Sequence, residues 1–252
     1  MDKQTLREIV WDALEERGVA RFPFPPHGRI PNFAGADDAC TRLTETPEWR
    51  AADTLKCNPD APQLPVRRAA LRAGKTVYVA QPRLRDPDPF LRLDPAEVPD
   101  IDDATTVSGV SKHGTPVGPE DVPHVDLVVS GSVAVTTDGA RVGKGEGYSD
   151  LEWAMLRELD AVSDETTVAT TVHELQVVDG PESAVSSDTP DDDLPAPDAH
   201  DVPLDLVVTP ERVVRTETPY DRPTGVDWDA LDDERLAEIP VLAERAPEPT
   251  RE

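Results

Sequence analysis

The chain has 252 residues, and its 51 acidic and 25 basic side chains give a formal net charge of −26. Such acidity excludes the basic stripe needed to bind a nucleic-acid backbone, so we expect no nucleic-acid partner. No apolar run reaches the roughly 18–20 residues of a membrane span, and the N-terminus lacks a signal-peptide core, so we expect a cytoplasmic protein without membrane contact.

The acidic excess is spread along the whole chain, and only 5 of the basic residues are lysines. This balance is typical of proteins adapted to high salt, in which ions screen the repulsion between carboxylates. The alternative explanation, intrinsic disorder, applies only to the acidic segment 179–198 and to the last few residues. We therefore predict a folded, halophilic protein with one flexible acidic loop.

Local patterns in the first third of the chain predict several helices and one strand. Apolar residues at helical spacing predict a helix over 3–17, and the prolines and aromatic residues of 21–33 then predict a fixed loop. Residues 35–53 read as one or two helices interrupted by a proline. A helix over 67–74 leads into a β-branched strand over 75–80.

The rest of the chain alternates apolar strands with amphipathic helices. Residues 125–135 are apolar almost throughout, as in a strand that is covered on both faces, and 148–162 form an amphipathic helix. Two further strands are predicted over 166–178 and 204–214. The tail, 227–239, reads as one amphipathic helix that packs on the body of the protein.

This alternation predicts an α/β fold, a three-layer structure with an open, mostly parallel sheet and helices on both faces. We expect one α/β domain over residues 1–216 and a C-terminal extension over 217–252 with one short helix. Sheets of this kind bind ligands at the carboxyl ends of their strands. The loops after the predicted strands are therefore expected to carry the function.

One segment, residues 138–150, carries a pattern with chemical meaning. Gly143, Gly145 and Gly147 occupy alternate positions between a buried strand and a helix, and Arg141 and Lys144 add positive charge. Glycines allow the backbone to approach an anion, and a helix N-terminus favours negative charge. The segment therefore predicts a polyphosphate site that is neither a Walker A motif nor a Rossmann fingerprint. A glycine-rich hairpin without a ligand is the alternative.

The pattern D-G-x-R-x-G-x-G-x-G-Y-x-D in this segment resembles the signature of the 5-formyltetrahydrofolate cyclo-ligase family, also called methenyltetrahydrofolate synthetases. Lys3 and Arg7 on the first helix look like the ATP-contacting pair of that family, and His200-Asp201 looks like its C-terminal element. The chain is most similar to the subgroup of methenyltetrahydrofolate synthase domain-containing proteins. The segments that carry this closer similarity are 29–33, 56–60, 143–152 and 239–242.

The resemblance implies that ATP phosphorylates the formyl oxygen of 5-formyltetrahydrofolate, after which the neighbouring nitrogen closes the ring and phosphate leaves. The cofactors would be ATP and Mg²⁺, and the partner a small reduced formyl-folate or related pterin. The positions that match the ATP-binding residues of the family are Lys3, Arg7, Arg141, Gly143, Lys144, Gly145, Gly147, Tyr148 and Ser149. Lys144 and Tyr148 would also face the folate as catalytic residues.

The same resemblance assigns Asp150 and Asp201 as magnesium ligands. We expect both carboxylates to lie at one edge of the sheet, close enough to share an ion with ATP. Asp150 falls in the first turn of the predicted helix, where its side chain could also act as a helix cap.

Four departures from the family pattern leave the activity open. Ser149 replaces a second tyrosine, Leu151 replaces an arginine, and Glu146 puts a negative charge in the glycine segment. The E-x-x-T element expected over 61–68 is missing, and Asp60 is the one acid nearby. One alternative is therefore a non-catalytic regulatory protein of the same fold that binds a nucleotide or a folate. Another is a kinase or ligase of the same fold for a different small substrate. In each case we expect a monomer.

The charge generates a first prediction about stability. Because unscreened repulsion opposes compaction, the thermal unfolding midpoint should rise as potassium chloride is raised from low to molar concentration. Each 1 kcal/mol gained corresponds to roughly 2–4 °C for a chain of this size. Sucrose at matched osmolarity is the uncharged control, and a midpoint that does not respond to salt would contradict the prediction.

Overall fold

The computed structural model describes residues 1–185 and 194–247. Its first element is the predicted N-terminal helix, α1 (Lys3–Glu16), which buries Leu6, Val10 and Leu14 on one face. The Asp2 side chain caps this helix by accepting a hydrogen bond from the backbone N–H of Thr5 at 2.7 Å. The helix therefore follows directly from the apolar spacing and the cap.

The proline-rich segment is closed by a short antiparallel pair of strands, β1 (Ala20–Arg21) and β2 (Asn32–Phe33). Two helices follow, α2 (Ala36–Thr44) and α3 (Pro47–Ala51), as the interruption at Pro47 predicts. The Thr46 side chain accepts a hydrogen bond from Trp49 N–H at 3.2 Å and so caps α3, in which Pro47 occupies the first position.

The remaining strands supply the main sheet and one separate hairpin. In chain order they are β3 (Thr54–Cys57), β4 (Thr76–Ala80), β5 (Phe90–Leu93), β6 (Thr115–Val117), β7 (Leu127–Val129), β8 (Ala134–Val135), β9 (Arg141–Val142), β10 (Thr167–Thr171), β11 (Leu206–Val208) and β12 (Val213–Arg215). The main sheet has the order β12-β11-β10-β7-β3-β4-β5-β6, while β8 and β9 pair with each other.

The centre of the main sheet is parallel. Strands β11, β10, β7, β3 and β4 run in one direction. At the edges, β12 and β5 run in the opposite direction, and β6 pairs antiparallel with β5. All the carboxyl ends of the five central strands therefore meet at one edge. This arrangement confirms the predicted open, mostly parallel sheet.

Helices cover both faces of the sheet. The remaining helices are α4 (Leu64–Arg72), α5 (Ile101–Ala104), α6 (Val107–His113), α7 (Tyr148–Glu158), α8 (Asp233–Glu238) and α9 (Pro240–Ala243). Along β7, Leu127 and Val129 pack in a cluster with residues of α2 and α4, whereas Val128 packs in a second cluster with residues of α7 and α9. Successive side chains of a strand point to opposite faces, so these two clusters form the two interfaces of a three-layer α/β structure.

Several predicted elements are divided or were missed. The predicted strand 125–135 is interrupted at Ser130–Gly131, which separates β7 from β8, and the predicted strand 204–214 contains the turn between β11 and β12. Strands β3, β5 and β6 were not predicted. The tail predicted as one helix over 227–239 forms a 3₁₀ turn (Trp228–Ala230) followed by the short helix α8, and a further short helix, α9, begins at Pro240 beyond that range.

The domain boundary near residue 216 stays a prediction, and residues 186–193 of the predicted acidic loop lie outside the described ranges. Among the helices of residues 1–185 and 194–247, none has the length and apolarity needed to cross a membrane.

Candidate functional site

A small cleft of about 220 Å³ lies at the carboxyl ends of β3, β4 and β7. The loops after these strands line it with Asn58 to Asp60, Gln81 to Arg83, and Gly131. The loops after β10 and β11, which we also expected at the site, are not among its lining residues. The small cleft therefore lies at the edge of the sheet where we expect a ligand, and β3, which was not predicted, contributes one of its walls.

The segment 143–147, hereafter the glycine loop, forms the facing wall of this cleft. It joins β9 to α7, and Gly145 and Gly147 adopt φ values of +100° and +70°, in the left-handed region that favours glycine. Gly147 occupies the cap position of α7 and provides no side-chain cap. The first N–H groups of α7 are therefore free of a capping side chain at the edge of the cleft, as an anion site requires.

Lys144 and Glu146 face each other within the glycine loop. Lys144 Nζ lies 2.8 Å from Glu146 Oε2, and both side chains are partly exposed, at 34% and 41%. An ion pair this exposed is weak, because water screens it and both side chains lose freedom in forming it. A phosphate group entering the cleft could therefore take Lys144 from Glu146 at little cost.

The predicted N-terminal pair reaches the same region from α1. Arg7 Nε donates to the carbonyl of Gly143 at 2.7 Å, and a side chain at Gly145 would meet the Arg7 guanidinium at 3.3 Å. Lys3 Nζ contacts Asp198 at 2.7 Å and also donates to Asp201. Burial alone would lower the pKa of Lys3, but the two carboxylates outweigh it and raise that pKa. Helix α1 thus brings Arg7 to the glycine loop and Lys3 to the segment that carries Asp201, and neither side chain lines the small cleft or the larger cleft that adjoins it.

Arg141 and Asp150 form a buried ion pair across the two ends of the glycine loop. Arg141 also donates to the Gly131 carbonyl at 3.0 Å, and Asp150 Oδ1 accepts from the backbone N–H of Val202 at 3.1 Å. Burial would lower the pKa of Arg141, but the charge of Asp150 and its hydrogen bond raise it. The expectation that Asp150 caps α7 is wrong, because its carboxylate is bound to Arg141 and Val202 while Gly147 holds the cap position.

The two predicted magnesium ligands come close to each other. The Asp201–Val202 peptide contacts Asp150 directly through the Val202 N–H, so both residues lie at the same edge of the sheet. Asp150 Oδ1 accepts hydrogen bonds from Arg141 and the Val202 N–H, and Asp201 Oδ2 accepts from Lys3 and the Asp198 N–H. The other oxygen of each carboxylate accepts no hydrogen bond from any described residue.

The carboxylates of Asp150 and Asp201 fit an ion whose coordination shell is completed by oxygens of a bound ligand. Over residues 1–185 and 194–247, no group of three or more His, Cys, Asp or Glu side chains is placed to hold a metal. Mg²⁺ typically uses one or two protein carboxylates together with phosphate oxygens and water. Asp150 and Asp201 therefore suit Mg²⁺ bound with a nucleotide and do not form a complete metal site by themselves.

Sequence reasoning missed a set of buried charged and polar residues beneath the small cleft. Lys56 of β3 and Glu152 of α7 form an ion pair with side chains 2% and 5% exposed, and Asn58 Nδ2 donates to Glu152 Oε2 at 3.3 Å. Burial raises the pKa of Glu152, although Lys56 opposes the shift. Burial likewise raises the pKa of Asp60, against the nearby charges of Lys144 and Arg67. Glu152 and Asp60 thus place two acids in the lining of the cleft.

A large cleft of about 630 Å³ adjoins the small cleft. Both clefts are lined by Arg83, Glu146, Gly147, Tyr148 and Asp150, so the end of the glycine loop lies between them. Ser149 lines the small cleft only. Arg83 was not predicted as a site residue, since it follows β4 without any motif. Two ligands bound in these clefts would meet at Tyr148.

Comparison with known proteins gives three consistent findings. The model of the 5-formyltetrahydrofolate cyclo-ligase family matches residues 1–210. Methenyltetrahydrofolate synthase domain-containing proteins of Mus musculus and Homo sapiens are 42% and 39% identical to the chain over 245 residues. These matches cover 96% of this chain but 62% and 61% of the relatives, so the chain spans about three fifths of their length.

The fold is also similar to a solved structure. The NMR structure of 5,10-methenyltetrahydrofolate synthetase from Aquifex aeolicus superimposes with a TM-score of 0.52 at 21% identity, covering 88% of this chain and 96% of that protein. At this identity the likeness shows the fold alone. The match of the family model and the identity to the curated relatives show that the chain belongs to the 5-formyltetrahydrofolate cyclo-ligase family.

Proposed function

We propose that the chain catalyses the ATP- and Mg²⁺-dependent cyclisation of 5-formyltetrahydrofolate to 5,10-methenyltetrahydrofolate, with release of ADP and phosphate. The observation that carries this proposal is the position of the glycine loop, whose residues 146 and 147 line both clefts together with Tyr148 of α7. A reaction that transfers a phosphoryl group between two bound molecules needs two adjacent subsites that meet at a phosphate-binding element. Membership of the cyclo-ligase family supports the assignment of the two molecules.

The proposed reaction has two steps. The formyl oxygen attacks the γ-phosphorus of ATP, an O–P bond forms, and the bond between the γ-phosphorus and the bridging oxygen breaks to release ADP. The neighbouring folate nitrogen then attacks the activated formyl carbon and loses its proton, and the C–O bond to phosphate breaks. Such chemistry depends on positioning and charge stabilisation more than on a protein nucleophile.

The residues of the site fit these requirements. Lys144, the partly exposed cation of the glycine loop, is available to bind a phosphate that displaces Glu146. The N-terminus of α7 adds backbone N–H groups, and Arg7 holds the Gly143 carbonyl from the other side. Arg141 donates to Asp150 and to the Gly131 carbonyl, so we assign it the role of holding the loop, although its buried Nε–H has no hydrogen-bond partner among the described residues. We assign Asp150 and Asp201 to Mg²⁺, which when bound would neutralise phosphate charge.

One observation favours a second candidate, a non-catalytic nucleotide- or folate-binding regulatory protein. In the structure Lys144 is already paired with Glu146, which weakens the positive charge of the loop. Against this, Asp60 and Glu152 supply carboxylates to the small cleft, although the E-x-x-T element is missing. These acids provide acceptors for the N–H groups of a pterin, and we therefore favour the enzyme.

A spectrophotometric assay separates these two functions. Mixing the protein with ATP, Mg²⁺ and 5-formyltetrahydrofolate in molar potassium chloride should raise the absorbance of 5,10-methenyltetrahydrofolate. Omitting ATP is the control and should leave the absorbance flat, because ring closure needs the activated formyl group. ATP binding in a titration without any absorbance change would reject the enzyme and support the regulatory protein.

Lys144→Ala tests the phosphate-binding role of the glycine loop. Loss of one charge-assisted contact to phosphate should weaken ATP binding by about tenfold or more. The matched control is Lys112→Ala, because the Lys112 side chain is 67% exposed and pairs with Asp103 on the surface, away from the two described clefts. Calorimetric titration with ATP measures the effect. Equal affinities of the wild type and the Lys144 variant would contradict the assignment.

Asp201→Asn tests the magnesium assignment. In the wild type, Mg²⁺ should strengthen ATP binding, and in the variant this gain should fall by at least about tenfold, because an amide is a poorer ligand for this ion. Asp201 is preferred to Asp150, whose replacement would leave the buried Arg141 without a charged partner. Lys3 keeps its contact with Asp198 in the variant.

The matched control is Asp198→Asn, which removes the other carboxylate partner of Lys3. ATP titrations of both variants with and without Mg²⁺ give the comparison. If Asp201→Asn retains the full gain from Mg²⁺, the ion is held elsewhere.

A further inference from the structure

The C-terminal extension is attached to α7 through specific contacts. Trp153 Nε1 donates to the Pro223 carbonyl at 3.0 Å, and Val226 N–H donates to Glu158 Oε1 at 3.0 Å. Ile239 and Leu242 are fully buried in the same hydrophobic cluster as Trp153. Residues 217–247 therefore pack as part of the body of the protein, although the family model matches only residues 1–210.

Residues 223–238 of this extension, hereafter the outer wall, face the glycine loop across the large cleft. The outer wall contributes Pro223, Gly225, Asp227, Ala230, Leu231, Asp232, Arg235 and Glu238, and the opposite side contains Tyr148, Leu151 and Ala154. The volume of about 630 Å³ lies within the range of pockets for small organic molecules. Half of this cleft is thus built by residues that the family model does not cover.

Arg235 connects the outer wall to the glycine loop. Its guanidinium donates to the carbonyl of Glu146 and, at 3.0 Å, to the hydroxyl of Tyr148. The same group lies 4.2 Å from the centroid of the Tyr148 ring, within the distance of a cation–π contact. The Arg235 side chain therefore holds the C-terminal end of the glycine loop and the orientation of Tyr148, which lies between the two clefts.

The chemistry of the outer wall indicates the kind of group that it contacts. Leu231 and Ala230 offer apolar surface to a flat ring. Asp227 and Asp232 each accept one backbone N–H through Oδ1, and Glu238 contacts Arg235 through Oε2. The second oxygen of each carboxylate can accept from N–H groups of a ligand, and all three repel carboxylates. An amino-substituted heteroaromatic ring has both properties. Such a ring occurs in ATP, as adenine, and in the reduced pterin.

We propose that the outer wall is a binding surface for this amino-substituted heteroaromatic ring and that Arg235 is a positioning residue that holds the glycine loop and Tyr148 against the bound ligand. The proposal rests on the proposed function for the identity of the two ligands. It goes beyond that function in assigning part of the site to residues outside the match of the family model.

Arg235→Met tests the proposal against Arg245→Met. Arg245 belongs to the same extension but pairs with Glu120 and does not line the large cleft. Calorimetric titrations in molar potassium chloride with ATP and, separately, with 5-formyltetrahydrofolate should show at least one affinity reduced by about tenfold or more in Arg235→Met. The Arg245 variant should stay within about twofold of the wild type for both ligands. Because Arg235 also holds the glycine loop, the ligand whose affinity falls is then tested for contact with the outer wall itself.

Two further measurements separate positioning from loss of folding. Arg235→Lys, which keeps the charge and one donor, should recover part of the lost affinity. Hydrogen exchange of the wild type should slow over residues 223–238 when that ligand is added, and this measurement needs no variant to fold. Wild-type affinities in Arg235→Met, or unchanged exchange over 223–238 with both ligands, would overturn the proposal. If the wild type binds neither ligand, the proposed function fails and this proposal fails with it.

Discussion

The glycine loop depends on one buried interaction, the ion pair between Arg141 and Asp150. Arg141 lies just before the loop in β9, and Asp150 lies just after it in α7, so the pair closes the loop at both ends. Hydrogen bonds to the Gly131 carbonyl and from the Val202 N–H tie the same pair to the ends of β7 and to the segment that carries Asp201. Removing one partner from a buried ion pair typically costs about 3–5 kcal/mol, so the site and its scaffold depend on the same contact.

Around this pair, three lysines each lie against a carboxylate, although the protein as a whole is strongly acidic. Lys3 faces Asp201, Lys144 faces Glu146, and Lys56 faces Glu152. These pairs differ mainly in exposure, and exposure determines how easily each can be broken. The Lys56–Glu152 pair is buried and remains part of the structure, whereas the exposed Lys144–Glu146 pair can exchange its carboxylate for a phosphate. Local pairing thus neutralises each of these lysines, in a chain whose net charge is −26.

Local sequence patterns predicted the elements that local interactions form. The cap and apolar spacing of α1, the β-branched run of β4, and the glycine loop with α7 all depend on neighbouring residues. Strand β3 escaped prediction because it has four residues and a lysine in the middle, and only the buried Glu152 on α7 makes that lysine acceptable. The alternative role of Asp150 as a helix cap was wrong for the same reason, since its partners Arg141 and Val202 are brought to it by the fold, while its assignment as a magnesium ligand stays a prediction. Arg83 and Arg235 carry no motif, and their place at the site is set by packing between distant segments.

The two clefts differ in the part of the chain that builds them, and this difference bears on specificity. The small cleft is made entirely by residues within the range that the family model matches, at the carboxyl ends of the parallel strands. The large cleft receives a full side from the C-terminal extension beyond residue 210. Because Tyr148 borders both clefts and Arg235 holds its hydroxyl, the extension can act on the small cleft without touching it. Under the proposed function, a change in the extension would therefore alter the selection of one ligand and the placement of the glycine loop together.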